Sequence, residues 1–289
     1  MPNPDIMRLA RLHKGEDSFA TQRDRRYHVK MIARQLAEAG FKRLKAKGLK
    51  PKHVDALVER WKNDGISIGT FKNRMGALRW IYRKVNKHFL IARENSAYGI
   101  GRRQYVTNVN KAVSLPHGNL GRVKCPYVRM SLELQREFGL RREEAIKIVV
   151  AWADRGSRLV LRGSWTKGGR PREIPIRTEA QREVLERAKV LAATTPKGSL
   201  IPTVQYKDQV RRYERQTAAA GLHKLHGLRH AYAQNRYFEL TGRLAPAAPG
   251  GKPRQLPRAE RPLDREARDI ISDELGHGRE QITALYLGR

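Results

Sequence analysis

The sequence predicts a mainly helical protein with one small β-sheet: an all-helical N-terminal domain followed by an α+β C-terminal domain. Three observations carry this expectation. Apolar residues recur at helical spacing through most of the chain. Two short β-type runs, 158–162 and 173–176, flank a turn rich in glycine and cationic charge. Between the halves, residues 91–113 carry Gly99, Gly101 and Arg102-Arg103 and read as a linker. Nothing repeats internally.

Residues 1–15 show no clear periodicity and are expected to form a mobile arm. From Ser18 the pattern turns helical: Tyr27, Met31, Ile32, Leu36 and Ala39 share one face, and Gly40 ends the run. Val54, Leu57, Val58 and Trp61 mark a second helix, stopped by Asn63-Asp64-Gly65. Ser67 or Thr70 can cap a third helix, whose buried stripe is Phe71, Met75, Leu78, Tyr82 and Val85. Lys72, Arg79 and Arg83 fall on a neighbouring face. A basic stripe beside a buried one suits a helix lying along DNA phosphates; the plainer reading is an ordinary solvated face. Residues 16–110 are thus a helical, basic domain with its linker, and 111–289 a second domain.

In that second domain 130–138 is helical and Gly139 breaks it. A new helix starts in Leu140-Arg141-Arg142-Glu143-Glu144-Ala145. The two short strands are joined by Thr166-Lys167-Gly168-Gly169-Arg170-Pro171. Helices follow over 179–193, 205–220 and from His226 to Leu240. Residues 241–262 hold Pro246, Pro249, Pro253, Pro257, Pro262 and Gly250-Gly251, and read as a long basic loop through Arg243, Lys252, Arg254, Arg258 and Arg261. Asp264 restarts a helix running to Leu275-Gly276, and 279–286 is a last helical stretch.

The chain has 289 residues, 39% of them hydrophobic, enough for two cores. Against 28 Asp and Glu stand 60 Lys and Arg, a net charge of +32. Such a surface draws a polyanion over long range, and nucleic acid is the expected partner. No apolar run approaches the roughly 20 residues that a bilayer requires, and no secretory leader opens the chain. A single cysteine, Cys125, allows no internal disulfide and fits a reducing compartment. The expected location is the cytoplasm, on the bacterial nucleoid.

The C-terminal segments concentrate phosphate chemistry. Cleaving a phosphodiester requires neutralised nonbridging oxygens, an in-line nucleophile and an acid for the leaving 5′ oxygen. Arginine suits the first task through its rigid, permanently charged fork, and tyrosine can serve as nucleophile. His226-Gly227-Leu228-Arg229-His230, Leu275-Gly276-His277 and Tyr286 supply such groups. His226 and His230 stand at a spacing that can bind zinc, but no third ligand is suggested nearby, so no metal site is expected. His230 reads as structural.

The segments resemble the tyrosine recombinases, the phage-integrase family. Gly139-Leu140-Arg141-Arg142-Glu143-Glu144-Ala145 resembles that family's first arginine box. Thr166-Lys167-Gly168-Gly169-Arg170 is similar to its lysine hairpin, and His226-x-x-Arg229 to its His-x-x-Arg box. Leu275-Gly276-His277 with Tyr286 resembles the closing histidine and nucleophile. Five boxes occur in family order over 130–289. The helices around Ile68–Phe71 and Leu78–Tyr82 resemble the core-binding domain more loosely.

The resemblance implies a two-domain clamp on DNA and site-specific strand exchange, as in the integrase of a mobile element. Arg141 and Arg229 would clamp the scissile phosphate, and Lys167 would protonate the 5′ oxygen from the minor groove. His226 would assist proton transfer from the tyrosine or bond the phosphate, and His277 would donate to a nonbridging oxygen. Tyr286 would become the 3′-phosphotyrosine. The covalent link conserves bond energy, so neither metal nor ATP would be needed. Arg170 joins Lys72, Arg79 and Arg83 as an expected DNA contact, and Arg162 and Arg172 are further phosphate candidates. Partners would be double-stranded DNA, three further copies in a tetramer on two duplexes, and an accessory DNA-bending protein. Two other readings stand beside it: a type IB topoisomerase-like nicking-closing enzyme, and a non-catalytic DNA-binding protein.

The sequence departs from the family in two places. The interval between Arg229 and His277 is longer than usual, and 241–262 fills the excess; its arginines suggest a contact surface. Tyr286 lies close to the last residue given. This leaves little of the trailing segment by which relatives couple protomers, and suggests a nucleophile on a loosely held end.

Overall fold

In a computed structural model of the chain, residues 3–12, 18–203, 205–251, 253–278 and 280–289 are described, without the side chains of Arg254 and Glu280. Lys252 of the basic loop, Arg279 of the last helical stretch, and residues 1–2 and 13–15 of the expected arm lie outside them. The chain divides into two compact units, Met1–Gln104 and Tyr105–Arg289. No helix of the described residues is long and apolar enough to cross a membrane.

The first unit holds helices α1 (Pro4–Leu9), α2 (Phe19–Glu38), α3 (Pro51–Asn63) and α4 (Ile68–Lys84). Residues 3–12 do not form a loose arm: α1 packs on α2 and α4, with Ile6 fully buried. Ile6 and Leu9 together, with Asn3 Nδ2 donating to the Ala33 carbonyl at 3.2 Å, dock this short helix. Ser18 caps α2 and Ser67 caps α4, each hydroxyl accepting the N–H of a threonine three residues on. The expected stripes of α3 and α4 form the core, with Trp61, Met75, Leu78 and Tyr82 buried and Val85 packed against them. On α2 the expected face needs correction. Tyr27 is 66% exposed and Ala39 is exposed, whereas Val29 is buried, because α1, α3 and α4 cover only one side of the helix. On α4, Arg83 is exposed, Lys72 is half-buried, and Arg79 Nε donates to the Ala92 carbonyl at 3.0 Å, which ties it to its own fold.

The second unit is built around α6 (Pro126–Phe138). Val128 and Leu132 enter one apolar core, with α5 (His117–Gly121) and α10 (Tyr206–Ala219). Leu134 and Phe138 enter the larger one, with α9 (Glu179–Ala193), α11 (Gly227–Thr241) and α12 (Arg261–Glu274). The short helices α7 (Arg142–Lys147) and α8 (Val150–Ala153) lead to the sheet, and α13 (Glu280–Leu287) closes the unit. The sheet is the expected hairpin, β1 (Arg158–Leu161) antiparallel to β2 (Arg172–Pro175), with Leu159 opposite Ile174.

Three boundaries differ from expectation, and the first is that of α6, which starts at Pro126 and not at residue 130. Helix α12 begins at Arg261 with Pro262 in its first turn, where a missing N–H costs nothing. The loop before it is partly built into the core: Ala245 and Ala247 are buried. The second unit also begins earlier than residue 111, because 108–113 is hydrogen-bonded into it. Val113 N–H donates to the Gly227 carbonyl at 3.1 Å. A Cβ at Gly227 would lie 2.5 Å from the Lys111 carbonyl oxygen and 2.4 Å from a Val113 methyl, so only glycine admits this strand-like segment.

Candidate active site

Gly139 ends α6 in the left-handed region at φ 58, where glycine carries no penalty. Its carbonyl accepts Arg229 Nη1 at 2.5 Å. Arg229, in the first turn of α11, is 1% exposed and also donates through Nη2 to the Leu275 carbonyl. Two backbone carbonyls thus fix its plane, while Nε has no partner among the described residues. A guanidinium N–H without a protein partner is a donor that a ligand oxygen can take. Burial, and then the charge of Arg141, pull the Arg229 pKa down to about 10, so it stays cationic at neutral pH.

Arg141 caps α7. Its N–H donates to Glu144 Oε2 and its Nη1 to Oε1, each at 2.7 Å. Arg172, on β2, holds the same carboxylate bidentately at 2.9 and 2.6 Å and donates from Nε to the Glu274 carbonyl. Burial of Glu144 works to raise its pKa, but the hydrogen bonds and charge of Arg172, joined by Arg141, prevail and bring it down to about 2. Arg172 is therefore no phosphate contact. It is 7% exposed and spent on the carboxylate that orients Arg141.

Tyr286 lies on α13 with 6% exposure, surrounded by imidazoles. His226 Nε2 is 3.1 Å from the phenol oxygen. The His277 ring stacks on the tyrosine at 4.9 Å and 26°, and the His230 ring lies 4.4 Å away. The Arg229 guanidinium is 5.8 Å from the tyrosine ring centre. Desolvation, then the charges of Arg229 and Arg141, lower the His226 pKa. The same causes, in the same order, bring His277 down to about 3. Both rings are neutral at pH 7, and a neutral imidazole beside a phenol can accept its proton. His277 Nδ1 lies 3.2 Å from Thr283 Oγ1 and Nε2 lies 3.4 Å from Arg229 Nη2. With Nδ1 protonated toward Thr283, Nε2 faces Arg229 as an acceptor, so donating to a phosphate oxygen requires the other tautomer or protonation.

Of the expected site residues, Arg141, His226, Arg229, His277 and Tyr286 converge. Lys167 sits exposed on the hairpin, next to Gly168 and Gly169 at positive φ; its charge adds to those that lower the His226 pKa. Arg170 is exposed, with its guanidinium over Gly278, where any Cβ would collide with it. Lys72, Arg79 and Arg83 belong to α4 of the other unit. Arg162 stacks its guanidinium 3.7 Å from the Trp152 ring centre. Sequence reasoning missed the roles of Glu144 and Arg172. Glu144 had a signal, since it stands at the capping-box position three residues after Arg141; Arg172 had none. Among the described residues no group of three His, Cys, Asp or Glu side chains is placed to hold a metal ion.

The tyrosine is also not on a loose end. Asn108 and Arg289 exchange two hydrogen bonds, Asn108 Nδ2 to the Arg289 carbonyl at 2.9 Å and Arg289 N–H to Asn108 Oδ1 at 2.8 Å. Ala247 N–H donates to the Leu287 carbonyl at 2.8 Å. The long loop therefore packs on the tyrosine's own helix.

A family model described as phage integrase, N-terminal, matches residues 3–91, and one described as integrase matches residues 120–235, together more than half of the chain. No match is found among curated proteins. Several solved structures share the fold. A lambda integrase tetramer bound to a Holliday junction matches with TM-score 0.59 and 14% identity, over 98% of this chain and 76% of that one. The XerH site-specific recombinase bound to difH substrate matches with TM-score 0.55 and 14% identity, over 93% and 76%. The Tn1549 transposon integrase in complex with transposon right end DNA matches with TM-score 0.53 and 13% identity, over 100% and 95%. With two integrase models in order on one chain, the protein belongs to the phage-integrase family of tyrosine recombinases, enzymes that cleave and transfer DNA strands.

Proposed function

We propose that this protein is a site-specific DNA recombinase that cuts and rejoins strands through a 3′-phosphotyrosine formed on Tyr286. The observation that carries the reading is the 3.1 Å approach of His226 Nε2 to the phenol oxygen, beside the buried Arg229. The Tyr286 oxygen attacks phosphorus and its proton passes to His226. The bond from phosphorus to the 5′ oxygen breaks, and that oxygen takes a proton from Lys167. Arg141 and Arg229 hold the nonbridging oxygens as charge builds on them. His277, in its donating tautomer, adds a further hydrogen bond. Attack by a 5′ hydroxyl from a second duplex reverses the steps and releases Tyr286.

The chain's own groups supply nucleophile, acid and charge, so the reaction proceeds without metal or ATP. The substrate is double-stranded DNA. The lambda integrase relative is a tetramer on a Holliday junction, and we assign the same four-copy arrangement on two duplexes to this protein during strand exchange. Lys72, Arg83, Arg170 and, in part, Arg79 contact the backbone, and an accessory DNA-bending protein assists assembly. The protein acts on the nucleoid, as an integrase of a mobile element.

The test uses nicked suicide duplexes tiled across the DNA flanking the protein's own gene, in chelator. The unsubstituted protein gives a covalent adduct at one sequence, and Tyr286→Phe gives none. An adduct on random duplexes points to a nicking-closing enzyme. No adduct on any duplex, with DNA binding retained, leaves a DNA-binding protein.

A further inference from the structure

His226, His230 and Gln234 stand four residues apart along α11, so successive turns present them on one line. All three meet Tyr286. His226 faces the phenol oxygen, His230 lies against the ring, and Gln234 Nε2 donates to the Tyr286 carbonyl at 3.3 Å. The same amide nitrogen donates to Asn110 Oδ1 at 3.1 Å.

The last carbonyls of a helix have no partner within it. In α13 and the residues after it, four successive carbonyls are met from elsewhere in the unit. Tyr286 takes Gln234, Leu287 takes the Ala247 N–H, Gly288 takes Arg268 Nη1 at 3.0 Å, and Arg289 takes Asn108. None of these four donors is required by the phosphoryl chemistry. They come from α11, the long loop, α12 and the 108–113 segment.

We propose that His230 and Gln234 are positioning residues which, with Asn108, Asn110 and Ala247, hold Tyr286 docked against the arginines of its own chain before DNA arrives. The proposal rests on the reading of Tyr286 as the nucleophile, and its tests separate the two.

The first test needs no activity. Hydrogen exchange of the DNA-free protein is followed over 283–289. Amides there exchange slowly, and Asn110→Ala and Gln234→Met, which remove an acceptor and a donor, both speed them. Unprotected exchange in the unsubstituted protein overturns the proposal whether or not an adduct forms.

The second test compares adduct rates at saturating DNA. Gln234→Met keeps the side-chain length and slows the adduct about ten-fold, the equivalent of one or two lost hydrogen bonds. The DNA concentration for half-saturation stays within about two-fold, since no ground-state contact to DNA is removed. Asn110→Ala, at an exposed position that leaves the cores intact, slows it less. The double variant falls short of the product of the two effects, as coupled residues do. A Gln234→Met rate within about two-fold of the unsubstituted protein, or full additivity, overturns the proposal while leaving the nucleophile in place.

Discussion

The N-terminal unit encloses Ile6, Ile32, Leu36, Trp61 and Met75, and the polar groups buried with them are uncharged or weakly basic: Asn3, Gln35 and His53. The C-terminal unit encloses aliphatic cores of the same kind, yet also buries Glu144, Arg172, Arg229, Asp264, Arg268, Glu274 and His277. Burying a charge pair is a weak way to gain stability, because desolvation cancels much of the attraction. These pairs do something else. Two of them reach the site or the end of the tyrosine helix. Glu144 with Arg172 orients Arg141, and Arg172 also bonds the Glu274 backbone. Tyr237 and Arg268 share Asp264, and Arg268 reaches the Gly288 carbonyl beyond the tyrosine helix. Tyr232 and Arg236 share the Glu274 carboxylate. The first unit uses burial to fold, and the second uses it also to fix charges before a substrate comes.

That contrast can be broken by substitution. The largest effect is expected at Arg229→Ala, which removes a preorganised donor from the phosphate. Adduct formation on the suicide duplex falls by about 10²–10³, and a loss under ten-fold breaks the claim that this buried cation serves the reaction. Next comes Glu144→Gln, which leaves Arg172 buried without its counter-charge and costs about 3–5 kcal/mol in urea unfolding. Its pH dependence carries a definite sign. The folded pKa near 2 lies below the ordinary 4.5, so the Glu144 contribution is full above 4.5 and disappears as pH falls toward 2. The stability gap between the unsubstituted protein and Glu144→Gln narrows over that window, and a gap independent of pH contradicts the pairing. Smallest is Ile81→Val in the first unit, fully buried among apolar neighbours. It costs about 0.5–1.5 kcal/mol and leaves the adduct rate at saturating DNA unchanged; a slowed rate means that apolar core, too, shapes the site.

Much of this was legible in the sequence, for reasons that differ by region. Helical periodicity placed α3 and α4 because a helix packed on one side must repeat its apolar residues. It misplaced Tyr27 on α2, where periodicity gives a face but not the side from which neighbours approach. The site's convergent residues stood in recognisable boxes, since Arg141, Arg229, His277 and Tyr286 each sit at an element's edge with a local signature. Arg172 carried none. Its partner is distant in sequence, and among so many arginines a buried one looks like a solvated one. The segment 108–113 read as a linker for a similar reason: Asn108 and Asn110 are exposed polar residues whose partners, Arg289 and Gln234, lie far along the chain.

The loop between α11 and α12 faces two ways. Ala245 and Ala247 are buried beside the tyrosine helix, while Leu244 is 53% exposed and Gly251, Gln255 and residues 257–259 are exposed too. Loop surfaces tolerate insertion where their backbone is not bonded into the fold. A ligand-responsive module grafted beyond Gly250 would pull on Ala247, and so on the Leu287 carbonyl, without touching an arginine or histidine of the site. Such a graft tests whether the tyrosine's docking can be altered from the loop side, read as faster hydrogen exchange over 283–289.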